Sequence, residues 1–155
     1  MGNFIGESNR KVIFIFILFF ISITGYYLFS SLAISSYKSL ITIEQVPEVL
    51  RLENVPDLPT KWAVESVEKY DDGFISPLVT IKYKNEVILR LTTSHWDFSK
   101  DFAKKKQLNI GEKKVDYYFN EKEVAYVCNV ANINYAIISP KHLQSEVKVF
   151  IENLN

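Results

Sequence analysis

Few side chains in this chain could do chemistry. Ser94-His95-Trp96-Asp97 brings a hydroxyl, an imidazole and a carboxylate into one short stretch, Cys128 is the single thiol, and His142 is the only other histidine. A relay needs a nucleophile, a base within its reach and a group that orients the base. Adjacent residues on extended backbone, such as Ser94 and His95, point to opposite faces, so the stretch reads as a strand end. A metal would need two or three further ligands at readable spacing, and neither histidine has them. Lys104-Lys105-Lys106 with Lys113 and Lys114 could meet anionic phospholipid or wall polymer at roughly 1 kcal/mol per ammonium. Asp101, Glu112 and Asp116 lie among them and make a solvated face the simpler reading. No catalytic, cofactor-binding or metal-ligating residue is assigned, and an enzyme is not expected.

The elements that hold these residues follow from alternation. Leu78–Tyr83 and Val87–Leu91 read as two strands joined at Lys84-Asn85-Glu86. That connection sets Tyr83 against Val87, Ile81 against Leu89 and Val79 against Leu91, all on one face. A second hairpin turns at Asn120–Glu123 and places Phe119 opposite Val124, Tyr117 opposite Tyr126 and Val115 opposite Cys128. A turn at Asn132-Ile133 adds Tyr135–Ile138, with Ile137 beside Cys128 and Tyr135 beside Val130. Cys128 thus falls among apolar partners, where a thiol is a small hydrophobe.

Ser139-Pro140 reads as an N-cap and a proline at the first helical position. Leu143, Val147, Phe150, Ile151 and Leu154 then recur at helical spacing. The stripe needs cover, and the apolar sheet face supplies it.

The N-terminal third is different. From Val12 to Tyr37 no side chain is charged. About 20 helical residues at ~1.5 Å each cross the ~30 Å hydrocarbon layer, and in lipid the helix is the conformation that satisfies every peptide group. Arg10 and Lys11 precede the run directly, and the next basic residue is Lys38, so the N-terminus faces the cytoplasm. Ser31-Leu32-Ala33 also has the small residues of a signal-peptidase site, leaving cleavage after Ala33 as the alternative. The eighteen residues Val12–Phe29 exceed the usual 7–15 of a signal-peptide core and favour a retained anchor.

The fold class expected is therefore α+β: an N-terminal transmembrane helix, then an antiparallel β-sheet of about five or six strands covered by a C-terminal amphipathic helix. Residues 1–11 form a short cytoplasmic tail, 12–33 the anchor, 34–57 a juxtamembrane connector and 58–155 the extracytoplasmic domain. Of 18 basic and 18 acidic residues, Arg10, Lys11 and Glu7 precede the anchor, which leaves 16 and 17 beyond it. So even a balance argues against nucleic acid as a partner. One cysteine permits no internal disulfide, and no glycosylation sequon occurs, in keeping with a bacterial envelope protein.

Leu58-Pro59-Thr60-Lys61-Trp62, Val79-Thr80-Ile81-Lys82-Tyr83, Tyr117-Tyr118-Phe119-Asn120, Asn134-Tyr135-Ala136-Ile137 and the helix Leu143…Glu146…Ile151 occur in an order with a known counterpart. Over roughly residues 55–154 the chain resembles a domain-of-unknown-function family of Gram-positive bacteria. That family lies outside the membrane at the C-terminus of single-span anti-sigma-factor-like and sporulation-associated proteins. The resemblance implies an extracytoplasmic module and supplies no catalytic residue. It also implies a sigma-binding segment before the span; the chain departs from that plan with about eleven residues there, so direct sigma-factor sequestration is not expected.

Two functions are expected from these features. One is a membrane-anchored interaction or sensing module, with the bilayer as partner through residues 12–33 and an envelope protein beyond it. The other is an exported carrier of a lipid-like ligand between sheet and helix, using Phe98, Phe102, Tyr117 and Tyr126. A filled core favours the first and a deep cavity the second.

Overall fold

Alternating side chains put the apolar residues of each strand on one face, and eight strands use that rule here. The computed structural model describes residues 4–94, 102 and 104–155, the side chains of 4–11, 29, 31–36 and 104 excepted. The chain divides into two compact units, Met1–Tyr37 and Lys38–Asn155.

The first unit is helix α1, Phe4–Ser36. Its described large apolar side chains, from Val12 to Leu28, all stand exposed. Among the described residues no helix is long and apolar enough to cross a membrane; the unbroken stretch of α1 with described side chains is 12–28.

The second unit is α+β. Its strands are β1 Lys38–Leu40, β2 Val64–Tyr70, β3 Leu78–Tyr83, β4 Ile88–Thr92, β5 Lys104–Ile110, β6 Lys113–Phe119, β7 Glu123–Val130 and β8 Ile133–Pro140. They form one antiparallel sheet in the order β1-β2-β3-β4-β8-β7-β6-β5. Two four-stranded meanders are thus joined at the centre, where β4 pairs β8 from Ile88↔Ile138 to Thr92↔Asn134.

Eight strands replace the five or six expected, and the additional ones are at or near the edges. β5 is Lys-Lys-Lys-Gln-Leu-Asn-Ile, and β1 is three exposed residues. An edge strand covered on one side needs little apolar alternation, and lysines there oppose pairing with another chain. The folded unit also begins at Lys38 instead of residue 58. In the stretch read as a connector, β1 pairs β2, and a 3-10 turn Ile43–Gln45 leads into α2, Val46–Leu50. Val46 and Leu50 are buried in the main core. α2 ends on Arg51 in the left-handed conformation (φ 56°), a position more often held by glycine.

The first two hairpins have the expected registers: Ile81↔Leu89 and Val79↔Leu91, then Phe119↔Val124 and Tyr117↔Tyr126. The last differs by one turn position. Val130 pairs Ile133 across Ala131-Asn132, both at positive φ, so Cys128 faces Tyr135 and Tyr126 faces Ile137. Such a two-residue turn matches strand twist better than one at Asn132-Ile133. The slip moves each partner by two residues and therefore keeps every side chain on its expected face.

β8 runs through Ser139 and Pro140, so Ser139 is a buried strand residue and not the expected N-cap. A 3-10 turn, Lys141–Leu143, then leads into α3, Gln144–Glu152. α2 packs on β3, and α3 on β8 and β5. Between these helices and the sheet lie Val46, Ile81, Leu89, Tyr126, Ile137, Val147 and Ile151, all closed to solvent. The other face carries a smaller cluster of Tyr118, Ala125 and Ile138 with Ile88, Phe102 and Val127 against it.

Candidate functional site

The segment after α2 and the outer side of α3 enclose a groove of about 550 Å³. Asp57, Leu58, Pro59, Thr60, Lys61 and Trp62 form one wall, and Ser145, Glu146, Val149, Phe150 and Asn153 the other. Prolines at 56 and 59 favour extended backbone, which lets this stretch cross beside the helix without pairing to a strand. On α3, residues 146, 149, 150 and 153 repeat at three- and four-residue intervals and so share one side. Val147 and Ile151 occupy the side that faces the core.

Trp62 ties the walls together. Its Nε1–H donates to Glu146 Oε2 at 3.3 Å, and its ring meets Tyr83 edge-on at 5.5 Å and Phe150 at 5.9 Å. At the far end Asp57 Oδ2 accepts the backbone N–H of Asn155 at 2.7 Å. Burial pushes the Tyr135 phenol up to about 12, with the Asp57 carboxylate adding to the shift. The groove therefore offers an aromatic and aliphatic floor edged by two carboxylates, a lysine and small polar groups. Such a lining suits binding by contact and hydrogen bonds.

The residues singled out from sequence are dispersed. Ser94 is structural: its Oγ accepts the Ser76 N–H at 3.2 Å, and its carbonyl accepts Asn134 Nδ2 at 2.9 Å. His95, Trp96, Asp97 and Phe98 lie outside the described residues. His142 is exposed on the turn before α3. Cys128 is in the main core, and burial raises its thiol to about 11, which suppresses the reactive thiolate. Among the described residues no three His, Cys, Asp or Glu side chains stand together to hold a metal.

Alternation along β5 and β6 also splits the lysine cluster. Lys105 pairs with Asp116 at 2.8 Å and is held protonated to higher pH by it, Lys106 lies over the Phe119 ring, and Lys113 Nζ donates to the Glu152 carbonyl. The aromatic set expected around a ligand divides too. Tyr117 and Tyr126 touch on the helix-covered face, whereas Phe102 meets Tyr118 on the other.

Phe150 is legible in the sequence as part of the closing helix's apolar stripe and Trp62 only as part of the Leu58–Trp62 stretch; neither is legible as a groove wall. Trp62 and Glu146 are 84 residues apart, and local periodicity carries no information about such a meeting. No family model, curated protein or solved structure matches the chain.

Proposed function

We propose that this protein is a membrane-anchored extracytoplasmic interaction or sensing module of the bacterial envelope. Residues 12–33 are its transmembrane anchor, its N-terminus is cytoplasmic, and the unit from Lys38 onward lies outside. Membership of the Gram-positive extracytoplasmic family that the sequence resembles belongs to the same proposal. One observation carries it: the surface of α1 from Val12 to Leu28 is made of exposed apolar side chains. The hydroxyls of Ser22 and Thr24 turn back on the helix, donating to the carbonyls of Leu18 and Phe20 at 2.9 and 2.8 Å. A surface of that extent is untenable in water and suited to hydrocarbon. In this reading the Trp62 groove is where an envelope partner docks.

Carbonate and high-salt washes test the anchor. The full-length chain should stay with the membrane, and paired Ile17→Arg and Phe19→Arg changes should release it, at about 2.5–3.5 kcal/mol per charge near the helix centre. Recovery from the medium of a shortened chain beginning at Ile34 would replace the anchor with a cleaved signal.

The groove itself favours a second reading, a carrier of a lipid-like ligand. Its apolar lining of Leu58, Pro59, Val149 and Phe150 supports this, although the ligand would lie beside α3 because side chains occupy the space between sheet and helix. Lipid extracted from the purified protein and lost in Trp62→Ala would favour the carrier; lipid carried equally by both would not.

A further inference from the structure

The β2–β3 connection, Asp71–Pro77, presents the most exposed large apolar side chain among the described residues of the folded unit. Phe74 is 90 % exposed and its neighbour Ile75 49 %. The backbone that presents them is built, not slack. Asp71 Oδ1 accepts the Gly73 N–H at 3.1 Å, and Asp72 Oδ1 accepts those of Phe74 and Ile75 at 3.0 and 3.4 Å. Gly73 supplies the positive φ of 76° that the reversal needs. Ser76 is tied to Ser94, and Ser94 to Asn134, which fixes the base of the connection to the sheet. A connection braced in this way holds a phenyl ring in water for a reason other than its own fold.

Register says which end of the sheet it occupies. Lys38, the first residue of the folded unit, pairs with Tyr70, the last residue of β2. The chain therefore enters the sheet at the same end at which the 71–77 connection leaves it. Lys38 is two residues beyond Ser36, where α1 ends. In the anchor reading, a covalent link of two residues keeps this end of the sheet within short reach of the bilayer surface. The turn at Glu121, between β6 and β7, belongs to the opposite end, since Glu123 pairs Pro140 and Ile138 pairs Ile88.

We propose that the β2–β3 connection is a second membrane contact, with Phe74 and Ile75 seated in the interfacial layer of the bilayer that holds α1. This rests on the anchor reading above. The occupant is lipid because the connection is attached through two residues to an apolar run, and because its acidic groups are already committed. Asp71 pairs with Lys69 at 2.9 Å, and that ammonium together with the Gly73 N–H holds its carboxyl below the usual range. The contact is therefore carried by the apolar side chains.

The test uses the full chain in nanodiscs, in a Cys128→Ala background, with bimane attached at one introduced thiol at a time. Ile75→Cys reports the connection, Ile17→Cys the anchor and Glu121→Cys the opposite end. Lipids brominated near the headgroup, at the ~5–10 Å depth reached by interfacial side chains, should quench the label at position 75 by about half or more and leave the label at position 121 bright. Adding Phe74→Ser should restore most of the signal at position 75. Quenching at position 17 by deeply brominated lipid with none at position 75 would overturn the proposal and leave the anchor intact. No quenching at either would overturn both. A position-75 signal shifted to the blue but untouched by bromine would mean a protein neighbour, and would also overturn it.

Discussion

Ile151 offers the sharpest test of how α3 is seated. Its side chain is fully buried, as are Val147 and Leu154, whereas Phe150 is partly buried at the rim of the groove. Ile151→Ala removes three carbons, about 2.4 kcal/mol of transfer at ~0.8 kcal/mol per methylene. The cavity left behind raises the total to ~3–4 kcal/mol, within the usual range for buried Ile→Ala. Phe150→Ala deletes more atoms, but the ring is only partly buried, so its cost should fall to about 2–3 kcal/mol, below the ~3–5 kcal/mol of a fully buried phenylalanine. Urea unfolding of residues 38–155, followed by far-UV circular dichroism, measures both. Against a total of about 5–15 kcal/mol the first is a large fraction. A chain ending at 138 should fail to unfold cooperatively. The reverse order, with Phe150→Ala costing more than Ile151→Ala, would mean that the helix packs through its other side. An unchanged midpoint for the 38–138 chain would mean that it does not cover the sheet at all.

Three further outcomes follow from buried polar groups. Burial raises the phenols of Tyr126 and Tyr135 to about 12 and that of Tyr83 further. The folded state therefore keeps protons that the unfolded chain sheds near pH 10, so stability is full below pH 10 and falls as pH rises from there toward 12. Absorbance at 295 nm should show exposed tyrosines ionising first and the remainder only with unfolding; a single phase near pH 10 would contradict this. Among the described residues the hydroxyls of Tyr83 and Tyr126 have no hydrogen-bond partner, so Tyr83→Phe should leave stability unchanged or raise it by about 1 kcal/mol, read as the urea midpoint. Cys128 should react with a thiol reagent only as fast as the unit opens, with rapid labelling under native conditions refuting its burial.

Sequence reported the centre of this fold well and its margins poorly. Leu78–Leu91 and Val115–Cys128 alternate because one face of each strand is buried, and burial is what period-two patterning records. Their registers follow, since a one-residue slip would have put Ile81 and Tyr126 into water. At the margins that constraint is absent. β5 is over half lysine and glutamine, and β1 is three residues long; both are placed by tertiary contact and not by their own pattern. In the stretch 41–50, Val46 and Leu50 do fall on one helical face, but what that face covers is not written in so short a run beside Pro47.

The groove falls beyond local reading for the same reason. Its walls are an irregular proline-bordered segment and the outer side of a helix whose inner side carries the apolar stripe. What joins them is one indole, which reaches Tyr83 in the sheet and Glu146 and Phe150 on α3. Trp62→Ala therefore removes a floor and a brace together, whereas Trp62→Phe keeps an apolar ring and loses only the bond to Glu146. Glu146 is exposed, so water can replace that bond at little cost. A docking role predicts that partner or ligand capture weakens in Trp62→Ala far more than in Trp62→Phe, while the alkaline transition of the tyrosines stays put in Trp62→Phe. If Trp62→Phe unfolds the unit as readily as Trp62→Ala, the indole N–H is a structural tie, and the groove is a by-product of packing instead of a surface shaped for a partner.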